Sequence, residues 1–542
     1  MVRPHQRHIA RWVAAVGVAL SMVFGAFGAG AAQRGPKLQL WLYCSTNFLV
    51  HENVIKTEPL WRAAAREGYS HILLNDSKFS HLSLLGSSLR RYTKNVRRAR
   101  ILAKHLHLTL VPAVCPIGYS NDLLALKPSL AAGVPVKSVP FVVRYQIASV
   151  MPEPKYDLPH RPHWMDSDIR FSHDEARTVN PPGDARLVFS MAVHPFWAYH
   201  LRVWIKTKSF TGRPHIEVLA GRHNRNLQFE DLVVARTQTW HRCDVVFDSL
   251  KYRHVRIYLG SWGAARGELA WKDWSLAVAG LVNPLSRPGA PTRIAGFRPG
   301  VNYIMPHDPL LGRDPYPGEY SAWHHPVAIR FITPVPDGTV VKVSWYYPPI
   351  IYAGEVAGDI QSPAYLHLLA NQAVSIRSMF HSRHYILSID ELRVMGWDNT
   401  GAGDHSAGWI LARTTRYCRR LFPGDRLYTW SDMFDPLHNA RNHYFLVHGS
   451  LRGSWRGLDR RMVIINWNGG HKRRSLTFFS RRGNKQIIAA YYDAPLSQTL
   501  AWLRAARGIR GVMGFMYTTW REDYRQISAF ARLVSHDGIA TR

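Results

Sequence analysis

Two adjacent carboxylates, Asp390 and Glu391, close an apolar run that begins at Tyr385 and continues Ile386-Leu387-Ser388-Ile389. Three later runs end in tryptophan: Leu427 to Trp430, Val463 to Trp467 and Gly514 to Trp520. Carboxylates can pass protons and steady developing positive charge. Aromatic faces suit the C–H faces of a sugar, whose hydroxyls take hydrogen bonds from polar neighbours. Acid pair and aromatics together therefore point to chemistry on a carbohydrate. A general acid at neutral pH needs a raised pKa, which a tryptophan-lined, water-poor site and the Asp390 charge would give Glu391.

A buried strand that delivers acids at its C-terminal end is how a (β/α)₈ barrel presents catalytic groups. Neighbouring strand residues face opposite ways. Both carboxylates therefore reach one pocket only if the chain leaves the strand at that point. The expected fold is α/β, a (β/α)₈ TIM-like barrel with an inserted antiparallel, jelly-roll-like β-sandwich. Strands at Leu38–Tyr43, His71–Asn75 and Leu108–Pro112 alternate with helical patterns, which gives a first barrel part over 38–150. Short alternating runs over 156–281, without a helix between them, predict the sandwich. Residues 282–335, rich in Pro and Gly, form a return segment, and the barrel resumes over 336–542. Nine candidate strands compete for eight barrel places, and Val340–Trp345 is the one that can belong elsewhere.

The chain has 542 residues, 46% hydrophobic and 20% charged, which places it among globular proteins of more than one domain. Residues 1–32 carry a basic start (Arg3, Arg7, Arg11), an apolar stretch from Trp12 to Phe27 and an Ala29-Gly30-Ala31 site. This is the pattern of a signal peptide and predicts a secreted or periplasmic protein, with an uncleaved N-terminal anchor as the alternative. After its removal no stable membrane insertion is expected. The four cysteines show no CxxC and no zinc-ligand spacing, so no metal or other cofactor is expected. One disulfide is feasible in an oxidising compartment, with no pair singled out. Lys and Arg outnumber Asp and Glu by 69 to 37, a net +32. Such a charge draws anionic partners, yet it is spread along the chain and no nucleic-acid-binding motif accompanies it. The expected partner is a carbohydrate, oligosaccharide or polysaccharide, acidic ones included, and not a nucleic acid.

Residues 385–530 resemble the C-terminal half of the family-20 glycoside hydrolases, the β-N-acetylhexosaminidases. There an apolar strand ends in Gly-Gly-Asp-Glu, matched here by Ser388-Ile389-Asp390-Glu391. Trp430-Ser431-Asp432 matches a Trp-x-Asp end, Trp467 a strand-final Trp, Tyr491-Tyr492-Asp493 a Tyr-x-Asp end, and Trp520-Arg521-Glu522 a Trp-x-Glu end. The resemblance implies a secreted, exo-acting enzyme with a substrate-assisted retaining mechanism, an exception to the two-carboxylate scheme. Glu391 would be the acid, Asp390 would orient the acetamido group, and Tyr491 would donate to its oxygen. Trp430, Trp467 and Trp520 would wall the sugar, with Asp432, Asp493 and Glu522 among the binding residues. The likeness stops at the first three strands. The family's early Arg is missing from Tyr43–Asn47, and Asp76-Ser77-Lys78 and Cys115-Pro116 replace its later grips.

Three other readings stay open on the residues alone. Glu391 could work directly with a second carboxylate, from Asp76, Asp432 or Glu522. The chain could bind sugar without cleaving it, on a degenerate barrel. Asp390 and Glu391 could be a solvated loop pair or the ion partners of Arg393. Asp432, Asp435 and His438 read as a polar loop rim in preference to a metal site, and Asp398, Asp404 and His405 as a loop on the leaving-group side.

Overall fold

The computed structural model describes residues 38–152, 158–352, 354–398 and 405–536. The leader expected at 1–32, and Asp404, lie outside them. Eight parallel strands close a barrel: β1 Gln39–Ser45, β2 Tyr69–Asn75, β3 Thr109–Val114, β4 His384–Leu387, β5 Arg426–Trp430, β6 Val463–Asn466, β7 Gln486–Tyr492 and β8 Val512–Thr518. The last strand pairs with the first, Phe515 beside Leu40. Helices follow seven of these strands among the described residues: α1 His51–Arg66, α2 Leu89–His105, α3 Pro363–Phe380, α4 Ala407–Arg420, α5 Lys472–Arg481, α6 Ser497–Ala506 and α7 Ile527–His536. Between β5 and β6 the helical elements are short 3-10 turns, at Asp432–Phe434 and Ser454–Gly457.

Alternation along the strands divides the core in two. Inward residues include Trp41, Leu73, Val111, Ile386, Tyr428, Ile465, Ile487 and Met516, and they fill the barrel. Outward residues pack under the helices. Truncating a filled position such as Ile386 or Ile465 to Ala would cost about 2–5 kcal/mol. At the N-terminal end, Trp41 stacks on His71 at 4.3 Å between ring centres, and His384 Nδ1 lies 2.9 Å from the Tyr428 hydroxyl. Burial pushes His71 down to about 3, with the His384 charge adding to it. The two histidines of the floor are thus held uncharged beside Arg426, and the carboxylate pair lies at the opposite mouth.

Three five-stranded sheets enter between β3 and α3, and a small parallel ladder joins Val394–Met395 to Leu446–Val447 beyond β4 and β5. Val340–Tyr347 is no barrel strand. It lies antiparallel to Val134–Arg144 in a five-stranded sheet, with Arg293–Ile294, Ile147–Val150 and Ile329–Arg330. The first barrel part expected over 38–150 accordingly ends sooner, since residues 134–150 belong to this sheet. Two further five-stranded antiparallel sheets form the inserted sandwich. One is ordered Gln238–Asp248, Ala198–Lys208, Glu268–Val278, Glu175–Val179, Ile169–Ser172. The other is ordered Arg225–Asp231, Pro214–Ala220, His254–Ser261, Ala185–Ala192, Trp164–Met165. Along Ala198–Lys208, Tyr199, Leu201, Val203 and Ile205 face the core, and His200, Arg202, Trp204 and Lys206 face away. The described helices include none long and apolar enough to cross a membrane.

Candidate functional site

The β4 strand ends at Leu387, three residues before the acid pair, and Ile389 N–H turns back onto the Leu387 carbonyl at 2.8 Å. Glu391 then takes a left-handed backbone, φ 45°. This turn sends both carboxylates to the mouth. The Asp390 charge is felt there by Tyr43, Tyr119 and Tyr492, and Glu391 accepts a short hydrogen bond from the Tyr119 hydroxyl. The loop after β3 must press close for this to happen. A Cβ on Gly118 would sit 2.0 Å from the Asp390 carbonyl oxygen, so only glycine fits.

Asp432, fully buried after β5, holds the pair in place. Its Oδ2 accepts from the Glu391 N–H at 2.8 Å and from Asn439 Nδ2 at 2.9 Å, and its Oδ1 from the Trp467 indole at 3.3 Å. With three donors on its two oxygens it acts as a positioning group, where a sugar-binding role was expected. Asp435 and His438 are similarly engaged. Asp435 accepts from Asn468 and from the Leu437 N–H, and His438 packs edge-on against Trp467.

Arg393 closes one side. Its guanidinium reaches Glu391 Oε1 at 2.8 Å, forms an ion pair with buried Glu355, and lies over Tyr352 at 4.6 Å. One guanidinium thus faces the carboxyls of Glu355 and Glu391, with Asp390 and Asp432 beside them. So many carboxyls around one cation cannot all ionise cheaply. Burial, reinforced by the Asp432 charge and opposed by the Tyr119 hydroxyl, pushes Glu391 up to about 7. Burial, with the Asp432 and Glu391 charges, raises Asp390 well above the usual carboxylate range. Burial also raises Asp432, against the pull of His438 and its hydrogen-bond donors.

Aromatic rings surround these groups. Trp430 is buried 6.4 Å from Trp520, which is half exposed at the rim. Trp467 and Tyr492 lie parallel, 6.3 Å apart, and Tyr43 meets Trp520 at 4.8 Å. Tyr491 lies elsewhere. The pairing of β7 with β8 shifts between Ala489 and Tyr491, so one residue bulges and the inward sequence Ile487, Ala489 continues at Tyr492. Tyr491 is buried outside the barrel, stacked on Tyr517 at 4.0 Å. Its expected contact with substrate is therefore not available, and the tyrosine at the mouth is its neighbour.

The remaining expected residues serve other ends. Asp493 accepts from Thr519 Oγ1 at 2.5 Å and from the Trp520 N–H at 2.7 Å, so it fixes Trp520 and is not free for a sugar hydroxyl. Glu522 is exposed with φ 54°, and its charge acts on Cys44 and Tyr524. Asp76 is buried beneath three donors, the Phe48 and Lys78 N–H groups and the Tyr92 hydroxyl. These donors hold it as a structural group, in place of the second catalytic carboxylate it could have been. In the loop after β4, Asp398 forms a buried ion pair with Arg287 at 2.7 Å and His405 stacks on Trp409. Sequence reasoning missed Tyr119, Tyr43, Tyr492 and Glu355. A strand-final position could have suggested Tyr43, and a bulge could have suggested Tyr492. Nothing local marks Tyr119 or Glu355.

No protein-family model matches the chain, and no curated protein matches it. Solved structures do show likeness. A rhamnosidase from a Novosphingobium species is similar over 90% of this chain and 56% of its own, at 10% identity and TM-score 0.33. A GH20 exo-β-N-acetylglucosaminidase from Vibrio harveyi is similar over 34% of this chain and 33% of its own, at 14% identity and TM-score 0.23. A CBM4 structure is similar over 21% of this chain and 76% of its own, at 11% identity and TM-score 0.18. The chain thus spans about half the length of the rhamnosidase.

Proposed function

We propose that the protein is a glycoside hydrolase whose reaction takes place at the mouth of the barrel. The observation that carries this reading is the half-buried Glu391, raised to about 7 inside an aromatic ring beside a second raised carboxyl, Asp390. A carboxyl at that value is still partly protonated at neutral pH, which suits a general acid. Glu391 protonates the glycosidic oxygen and then, as carboxylate, draws a proton from water. Asp390 faces the developing positive charge from the next position in the chain.

The finer reading is an exo-acting, substrate-assisted retaining enzyme on terminal N-acetylhexosamine. Asp390 orients the acetamido N–H, and Tyr492 takes the donor role first expected of Tyr491. Trp430, Trp467 and Trp520 wall the sugar. The support is the order of motifs from Asp390 to Glu522 and the placing of Asp390, Glu391 and Tyr492 at one mouth. A direct two-carboxylate reaction is less well served, because Asp76 and Asp432 each already accept from three donors, which leaves the exposed Glu522 as its remaining partner. Secretion is proposed from residues 1–32, and the mass of the mature chain from its native host tests it.

The test is a panel of aryl glycosides, with and without a 2-acetamido group, on the parent and on Glu391→Gln. Acetamido-sugar cleavage that vanishes in the variant is the expected result. Cleavage of plain hexosides alone would discard the substrate-assisted step. The Arg393–Glu391 ion pair favours a second reading, a non-catalytic sugar binder. Binding of sugars without turnover of any would establish that one.

A further inference from the structure

The net charge of +32 is far more than the mouth, with Arg393 among its acids, takes up. A second cleft lies on the sandwich. A cavity of about 370 Å³ opens on the outer face of the sheet that holds Ala198–Lys208, Gln238–Asp248 and Glu268–Val278. That volume is within the range of small-ligand sites. Arg202 and Arg242 rise from neighbouring strands, and Trp323, His324 and His325 of the return segment also line the cleft, with Trp323 stacked on His200 of the sheet.

The arrangement is braced, with one charge left over. His200 stacks on Trp323 with ring centres 3.6 Å apart and planes 7° from parallel, which fixes the indole's orientation. Asp244 is the carboxylate that stands beside the lining residues His200 and Arg242. Its two oxygens are taken by His200 Nε2 and Arg242 Nε, each at 2.8 Å, and these contacts overcome burial to hold it below its ordinary value. His324 is bound to Asp308 at 3.2 Å. Arg202 stands directly across from Asp244 in the sheet, yet it is exposed and has no ion pair or hydrogen bond among the described residues. An unspent guanidinium fork beside a fixed indole matches a carboxylate carried on a sugar ring. The fork takes the two oxygens, and the indole takes the ring's C–H face.

We propose that this cleft binds a uronate residue of an acidic polysaccharide, with Arg202 as its anion contact and Trp323 as its platform. The site is separate from Glu391 and does not depend on the glycosidase reading. It would hold the protein on a charged polymer whether or not the barrel cleaves that polymer.

The test is calorimetric titration of the full chain with a short oligogalacturonate and with its methyl ester, for the parent and for Arg202→Gln, Trp323→Ala, Glu391→Gln and Arg91→Gln. Arg91 is an exposed arginine on α2, remote in sequence, and serves as the charge control. Binding of the acid form, weaker by about tenfold or more in Arg202→Gln, is expected. Trp323→Ala should also weaken it, while Glu391→Gln and Arg91→Gln leave it unchanged. Arg202 is exposed, so its variant should melt with the parent, and that measurement separates lost contact from lost fold. Equal binding of the methyl ester would overturn the proposal, as would an equal loss in Arg91→Gln. A loss in Glu391→Gln would move the binding to the barrel. Single-stranded DNA of matched charge, bound as tightly and lost in Arg202→Gln, would replace the sugar with nucleic acid.

Discussion

The ends of β2 and β4 carry the same signature, a buried apolar strand running into acids at the same mouth, and the two ends meet opposite fates. After β2, Asp76 receives the Phe48 and Lys78 N–H groups and the Tyr92 hydroxyl. These donors oppose the burial that raises it and occupy its lone pairs. After β4, Asp390 and Glu391 receive other carboxyls as neighbours, with one donor hydroxyl and one shared guanidinium for Glu391. A carboxylate with its donors supplied is a structural pin. One raised by burial and like charge, with few donors, keeps proton chemistry available. Strand position places an acid at the mouth, and the donor count decides what it does there.

The widest separation between the two ends should appear on substitution by amide. Glu391→Gln should lower kcat by about 10²–10⁴-fold, the range of general acid–base catalysis, with folding intact. Asp76→Asn should leave kcat within a few-fold and cost about 1–3 kcal/mol of stability, because one of its donors then faces an amide N–H₂ or nothing. Activity assays with urea melts on both variants check the contrast. A collapse of kcat in a stable Asp76→Asn would erase it.

A smaller effect should follow Asp432→Asn. The Asp432 charge helps raise Glu391 and its Oδ2 holds the Glu391 N–H. Removing the charge lowers the Glu391 pKa, so the alkaline limb of kcat/KM should move to lower pH, with a fall in kcat of about tenfold. An unmoved limb would mean that another group controls it. Smaller again is the difference between adjacent tyrosines. Tyr492→Phe should reduce kcat several-fold, whereas Tyr491→Phe should leave it near the parent, since its ring is stacked on Tyr517 outside the barrel.

That last pair shows where sequence reading succeeds and stops. The runs from Tyr385 to Ile389, Leu427 to Trp430 and Val463 to Trp467 are legible because each is short, apolar and buried on both faces where it forms strand. The alternation of β7 fails at Ala490, where a single bulged residue exchanges the faces of Tyr491 and Tyr492, and no residue type announces it. Val340–Trp345 reads in sequence as the surplus strand without a place of its own, because its pattern is local while the antiparallel partner Val134–Arg144 is far away in sequence. Glu355 and Tyr119 reach the site from within the long segment between β3 and α3. Their contact with the acid pair exists only after that segment folds back. The pair itself was visible, and the Arg393 contact was foreseeable from two residues' spacing. The sharing of Arg393 with Glu355 was not.

The smallest expected effect is thermodynamic, and it tests the acid assignment without any substrate. In the unfolded chain Glu391 titrates near the ordinary value of about 4.3, and in the fold it titrates at about 7. Below both values the group is protonated in either state and contributes no pH dependence. Between them the native state binds the extra proton, so stability falls as pH rises, and above 7 the full penalty of holding a buried carboxylate remains. Glu391→Gln removes that penalty. Its unfolding midpoint, relative to the parent, should therefore rise by a few degrees as pH goes from 4 to 8. If Arg393 instead held Glu391 ionised, the folded pKa would lie below the ordinary value and the sign would reverse. The variant would then lose ground to the parent as pH rises. Melting curves of the two proteins across that range thus decide whether burial or the guanidinium governs Glu391, and with it whether the β4 end can serve as an acid.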